Sequence, residues 1–139
     1  MFTGELVTQQ SNYEEKKYAE DNGITVYDGE DEQGLGRNGV LFFNSNSGAQ
    51  AIQLAVFRGA KHIILLGYDM QNTGDKSHWF GDHPDTLTNC NYSAYIHNYN
   101  KLASDLERAG IEVVNCSRVT ALTQFKRAEL WAELLTLTK

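Results

Sequence analysis

His78 and His83 lie five residues apart in the segment SHWFGDHP, with Asp82 before the second histidine and the chain's single proline, Pro84, closing it. Histidine titrates near neutral pH, and a neighbouring carboxylate can orient it, so the segment has the makings of a general acid or base. His78, Asp82 and His83 could also supply three metal ligands. A zinc site, however, calls for three or four ligands at characteristic spacing, and no flanking pattern adds to these. The third reading is a polar loop packed down by Trp79 and Phe80 and stiffened by Pro84. Locally, that plain reading is the strongest.

Three further segments combine small and polar residues where a strand ends. In NSNSG, Asn44, Asn46, Ser47 and Gly48 stand between an apolar run and a helix-period run. A helix start offers unpaired N–H groups and a positive dipole end, which favour phosphate or carboxylate. Ser and Asn are equally the commonest N-caps. In GYD, Gly67 allows close approach and Tyr68 follows it. Asp69 can bind a ribose hydroxyl or close its own turn. In NCS, Asn115 and Ser117 end another apolar run.

These segments need elements to hold them. EEKKYAEDNG reads as a surface helix stopped at Gly23 within a polar stretch, 1–23, peripheral to a core over 24–125. ITVYDG (24–29), VLFFN (40–44), HIILLGYD (62–69) and IEVVNC (111–116) read as strands. Ala49, Ile52 and Val56 mark a helix face capped near Ser45–Ser47 and stopped at Gly59. Tyr92, Tyr95, Ile96, Tyr99, Leu102, Ala103 and Leu106 keep three–four spacing up to Gly110. Leu122, Phe125, Trp131 and Leu134 are placed on a last, less regular helix. The alternation predicts one α/β domain over residues 1–139, Rossmann-like and three-layered, with a short, mostly parallel sheet. Ligands of such sheets bind beyond the carboxyl ends of the strands, where all three polar segments fall. GLGRNG (34–39) precedes a strand instead of following one, and so fails as a dinucleotide loop.

Bulk properties narrow the partners. A net charge of −6 argues against nucleic acid, whose phosphates demand clustered Lys and Arg. No apolar run is long enough to span a membrane. Cys90 and Cys116 have neither the number nor the spacing of a disulfide framework. The cytoplasm is the expected compartment.

In combination the blocks gain meaning. The succession NSGAQAIQLAVFRGAKHIILLGYDMQNTGDKSHWFGDHP, a helix, then IEVVNCSRVTALTQF resembles the C-terminal half of the bacterial family 42 sialyltransferases. It is also similar to the related domain of Maf flagellin-glycosylation proteins and of archaeal hydroxymethylpterin pyrophosphokinases, and most of all to phage and prophage proteins carrying the same segment. The likeness covers roughly residues 44 to 125.

The resemblance implies a CMP- or other nucleotide-activated sugar as donor, needing no metal or other cofactor. Asn46, Ser47 and Gly48 would contact the nucleotide, with Asn44 beside them. Gly67, Tyr68 and Asp69 would line the same pocket, bordered by Asn115 and Ser117. The histidine loop would supply the base that deprotonates the acceptor hydroxyl. Gly81-Asp82-His83 stands where those enzymes have glycine followed directly by histidine, so His83 is favoured and His78 stays open. Under the pyrophosphokinase alternative, ATP and magnesium enter, with Asp69 and Asp82 as metal candidates. The family's opening strand and G-x-G-P-S loop have no counterpart here, so a reduced version lacking the first βα unit is expected. That leaves two further expectations: a non-catalytic nucleotide- or host-protein-binding module, and self-association through an exposed sheet edge.

Overall fold

The computed structural model describes residues 4–10, 12–72, 74 and 90–137. They form a mixed α/β protein with two three-stranded parallel sheets and four helices. In chain order the elements are β1 (Val7–Gln10), α1 (Tyr13–Asp21), β2 (Thr25–Glu30), β3 (Leu41–Phe42) and α2 (Ser47–Phe57). After them come β4 (His62–Leu65), α3 (Tyr92–Arg108), β5 (Glu112–Asn115), β6 (Lys126–Arg127) and α4 (Leu130–Thr136). The sheets run β1-β2-β3 and β4-β5-β6, and every pairing is parallel.

Helices α2 and α3 begin and end where local chemistry says they should. The Asn46 side chain accepts from the Ala49 N–H at 3.1 Å and caps α2. Gly59, at φ +90°, follows its C-cap, a conformation that costs a residue with a Cβ but not glycine. Asn91 caps α3 in the same way as Asn46 caps α2. One buried face of α3 carries Asn98, Tyr99, Leu102 and Leu106.

That face and α2 close over the second sheet. Ala49, Ile52, Leu65, Tyr99, Leu102, Leu106, Ile111, Val113, Leu122 and Phe125 make one buried cluster. Tyr99 meets Phe125 edge-on, with centroids 6.0 Å apart and planes at 87°. Leu102 and Leu122 are fully enclosed.

The structure corrects the sequence reading at four places. In place of the single short sheet expected, it has two, β1-β2-β3 and β4-β5-β6. The N-terminal stretch carries a strand, β1, which pairs with β2 in register Val7 to Thr25. The VLFFN run shrinks to two paired residues, because Asn44 and Ser45 turn left-handed (φ 48° and 50°) directly after it. The last helix begins at Leu130, not near Leu122. Leu122 and Phe125 fill the core from a connecting segment, and Lys126–Arg127 adds a strand beside β5. Two apolar residues three apart suit a helix face, and here equally well a tight turn held by Thr120, whose Oγ1 accepts from the Leu122 N–H at 3.0 Å.

Candidate functional site

The ends of β4 and β5 are stitched together by side chains. In register, Leu65 pairs with Asn115, so the chain leaves both strands at the same level. The Tyr68 N–H donates to Ser117 Oγ at 2.8 Å, and Thr120 Oγ1 donates to the Tyr68 carbonyl at 2.6 Å. Asn115, fully buried, donates to Thr120 Oγ1 at 3.2 Å and accepts from the Ser117 N–H at 3.0 Å. The Ala121 N–H donates to the Asp69 carbonyl at 2.8 Å. The Tyr68 N–H and carbonyl, the Ser117 N–H and the Asp69 carbonyl, which the strand ends would leave bare, thus each find a partner.

Beyond these ends lies an open cleft of about 620 Å³, lined by residues 66, 67 and 69, by 116–118 and by 129–131. Gly67, Asp69 and Ser117 from the sequence reading face it. Among the described residues, Arg118 brings the one cation in that lining, against Asp69 and Glu129. Trp131 stands on its rim from α4 and is 79 % exposed. A volume of this size fits a small organic ligand. The Cys116 thiol also lines the cleft; burial raises its pKa, and Glu133 and Glu129 add to the effect. It is therefore held as the neutral thiol, which is a poor nucleophile.

The α2 N-terminus is arranged differently. Gly48 sits under two tyrosines: a Cβ there would come within 2.9 Å of Tyr68 Cε1, of Tyr99 Oη and of Asn46 Oδ1. Tyr68 Oη donates to the Gly48 carbonyl at 3.0 Å, and Tyr99 Oη donates to Asn46 Oδ1 at 2.8 Å. The missing side chain admits the protein's own rings. Ser47 opens onto a separate groove of about 310 Å³ with Val7, Gln9, Tyr27, Gln50 and Leu54. Asn44 is 1 % exposed and braces the loop before β3, accepting from the Gly34 N–H at 2.7 Å and donating to the Gly34 and Phe42 carbonyls. Of the nucleotide-binding candidates, then, Gly67, Asp69 and Ser117 share the cleft. Tyr68 and Asn115 brace the strand ends behind it, whereas Asn44 holds the loop before β3, Asn46 and Gly48 belong to the start of α2 beneath Tyr68 and Tyr99, and Ser47 lies in the other groove. His78, Asp82 and His83 lie outside the described residues.

Arg118, Glu129, Leu130 and Trp131 line the cleft without having been singled out from the sequence. Arg118 directly follows the NCS segment, a detectable signal. Trp131 resembled a core residue, because an apolar residue at helix spacing is normally read as inward-facing.

The tyrosine pair gives a testable pH signature. Burial pushes Tyr99 upward from its ordinary value, with Tyr68 contributing, and burial also raises Tyr68. A folded-state pKa above the unfolded one contributes stability that is intact below about pH 10 and lost as pH rises through the folded value. Tyr99→Phe is expected to cost about 1 kcal/mol near neutrality through the lost hydrogen bond to Asn46, and to soften alkaline unfolding. Urea melts at pH 7 and pH 11 check both parts; an unchanged difference between the two pH values would contradict the assignment.

Fold and site together define a mixed α/β protein with an open cleft, part polar and part apolar, at the carboxyl ends of parallel strands. Comparison with protein-family models, with curated proteins and with solved structures returned no match.

Proposed function

We propose that the chain is a Rossmann-like, three-layer nucleotide-binding protein of the sialyltransferase-related kind, and that the cleft beyond β4 and β5 seats the nucleotide. The observation that carries the reading is the cleft's position and lining. It lies where parallel sheets bind ligands, and its groups suit the parts of a nucleotide. Arg118 would face the phosphate, the exposed Trp131 ring would offer a stacking face for the base, and Asp69 a ribose acceptor. In transfer, the His83 imidazole (His78 being the other candidate) would take the proton of the acceptor hydroxyl. The acceptor oxygen would bond to the anomeric carbon of the sugar while the bond to the nucleotide phosphate breaks. No metal enters this scheme.

A thermal-shift panel with CMP, CDP and ATP, with and without magnesium, tests the reading. CMP or CDP is expected to raise Tm without magnesium, since a ligand at 100 times its Kd adds about 2.7 kcal/mol. No shift with any nucleotide would contradict it. Strict magnesium dependence would favour pyrophosphoryl transfer instead, with Asp69 and Asp82 near the ion.

One observation favours a second reading, a binding module without catalysis. The α2 N-terminus, where a donor phosphate could have rested, is occupied by Tyr68 and Tyr99. In that case nucleotide binding would persist without any transfer. Partners other than nucleic acid, a host cytoplasm, and self-association belong to the same proposal. Exposed Leu66, Trp131 and Leu135 offer the apolar surface for self-association. Among the described residues no helix is long and apolar enough to cross a membrane.

A further inference from the structure

At the opposite ends of the same strands, His62 opens β4, Glu112 opens β5 beside it, and α4 lowers Glu133 onto the pair. The three side chains offer ligand atoms all within 4.8 Å of one another. Their two contacts differ in kind. His62 Nδ1 lies 3.1 Å from Glu112 Oε2 in hydrogen-bonding geometry. His62 Nε2 lies 3.1 Å from Glu133 Oε1, yet that nitrogen is buried and meets no hydrogen-bond partner. The Glu133 carboxylate is therefore close but off the line that a proton on Nε2 would take. Its side chain is only 8 % exposed, so water cannot readily replace what the nitrogen fails to give.

We infer that His62 and Glu133 hold a divalent transition-metal ion through Nε2 and a carboxylate oxygen, water completing its coordination, with Glu112 as the positioning residue on Nδ1. A carboxylate at Nδ1 fixes the proton there and turns the Nε2 lone pair toward Glu133, the carboxylate–histidine–metal arrangement. Two electron-rich atoms this close are relieved either by a proton on Nε2 or by a metal ion, and the off-line placement of Oε1 favours the metal. Ligand bonds of about 2.0–2.2 Å set tetrahedral neighbours about 3.4 Å apart, and the 3.1 Å seen here corresponds to an angle of about 95°, without requiring the collinearity of a hydrogen bond. The nitrogen ligand selects zinc, cobalt or nickel over magnesium or calcium. Charge agrees: among the described residues, Lys126 is the one lysine or arginine paired with the Glu112 or Glu133 carboxylate, its Nζ 3.8 Å from Glu112 Oε1. The ion would tie α4 to the sheet. Because α4 also carries Leu130 and Trp131 of the cleft wall, loading it stiffens that wall.

The test is zinc titration of the chelator-treated chain by calorimetry, with cobalt as a spectroscopic substitute and Trp131 fluorescence as a local readout. One zinc per chain is expected. Affinity is expected to fall at least tenfold in H62A and in E133Q, and about 10–100-fold in E112Q. Each variant is checked for native circular dichroism. In the unaltered chain, zinc is expected to move the His62 Nε2 resonance, a readout that does not depend on any variant folding. Zinc binding that survives both H62A and E133Q, no zinc binding at all, or a His62 ring that stays doubly protonated in zinc at neutral pH would each overturn the site.

Discussion

Replacing Gln53 by leucine is expected to destabilise the fold by about 2–4 kcal/mol, although it makes the core more apolar. Gln53 projects from α2 with no exposed surface. Its Oε1 accepts from the Gly36 and Phe42 N–H groups, both at 2.9 Å, and its Nε2 donates to the Phe42 carbonyl at 2.8 Å and the Ala49 carbonyl at 3.2 Å. One amide thus fastens the glycine-rich loop to β3 and both to the helix. Leucine would fill the space and leave two backbone donors buried without acceptors, each costing about 1–3 kcal/mol. Guanidinium melts check this: a midpoint within error of the unaltered chain would show that the loop hydrogen bonds are dispensable.

The second large effect is expected at Gly36, in the same loop. A Cβ there would lie 2.1 Å from the Val40 carbonyl oxygen and 2.9 Å from Gln53 Oε1. The first obstacle is backbone, which cannot rotate aside, so Gly36→Ala is expected to cost about 3 kcal/mol, the upper end of what overpacking usually causes. Gly39, three residues on, is a control with no neighbour within 4 Å and φ +81°. Gly39→Ala meets only the left-handed backbone penalty, about 1–2 kcal/mol. If the two alanine variants melt alike, the close approach at Gly36 is not what the loop depends on. The result also bears on the GLGRNG segment. Its first two glycines face Asn44, Gln53 and Asp105 of the protein itself, which accounts for them without a bound phosphate.

How far the sequence revealed the molecule depended on whether the signal was local. The cap at Asn46, the stops at Gly59 and Gly110 and the buried face of α3 were legible, because a helix is specified by residues within a few positions of each other. The strand Val7–Gln10 was not. VTQQ has no apolar alternation, and it is held as a strand by β2, some 18 residues away. Lys126–Arg127 is a strand for the same reason, paired to β5 with two exposed charged side chains.

Polar residues at strand ends raised a harder problem. Asn44, Asn115 and Ser117 look alike in sequence. Asn44 and Asn115 spend their amides on neighbouring backbone or side chains, whereas Ser117 accepts from Tyr68 and still borders the cleft. Ligand contact and loop bracing use the same residue types, and only the course of the folded chain separates them. The groups that give the cleft its charge and its aromatic rim, Arg118 and Trp131, flank the segments that drew notice.

The central claim is that a nucleotide occupies the cleft beyond β4 and β5. Amide correlation spectra recorded during a CMP titration address it most directly. The account predicts saturable shifts concentrated at Gly67, Asp69, Ser117 and Arg118 and at the Trp131 indole, with Ser47 and Gln50 in the neighbouring groove unmoved. Shifts confined to Ser47 and Gln50, or none up to millimolar CMP, would contradict it.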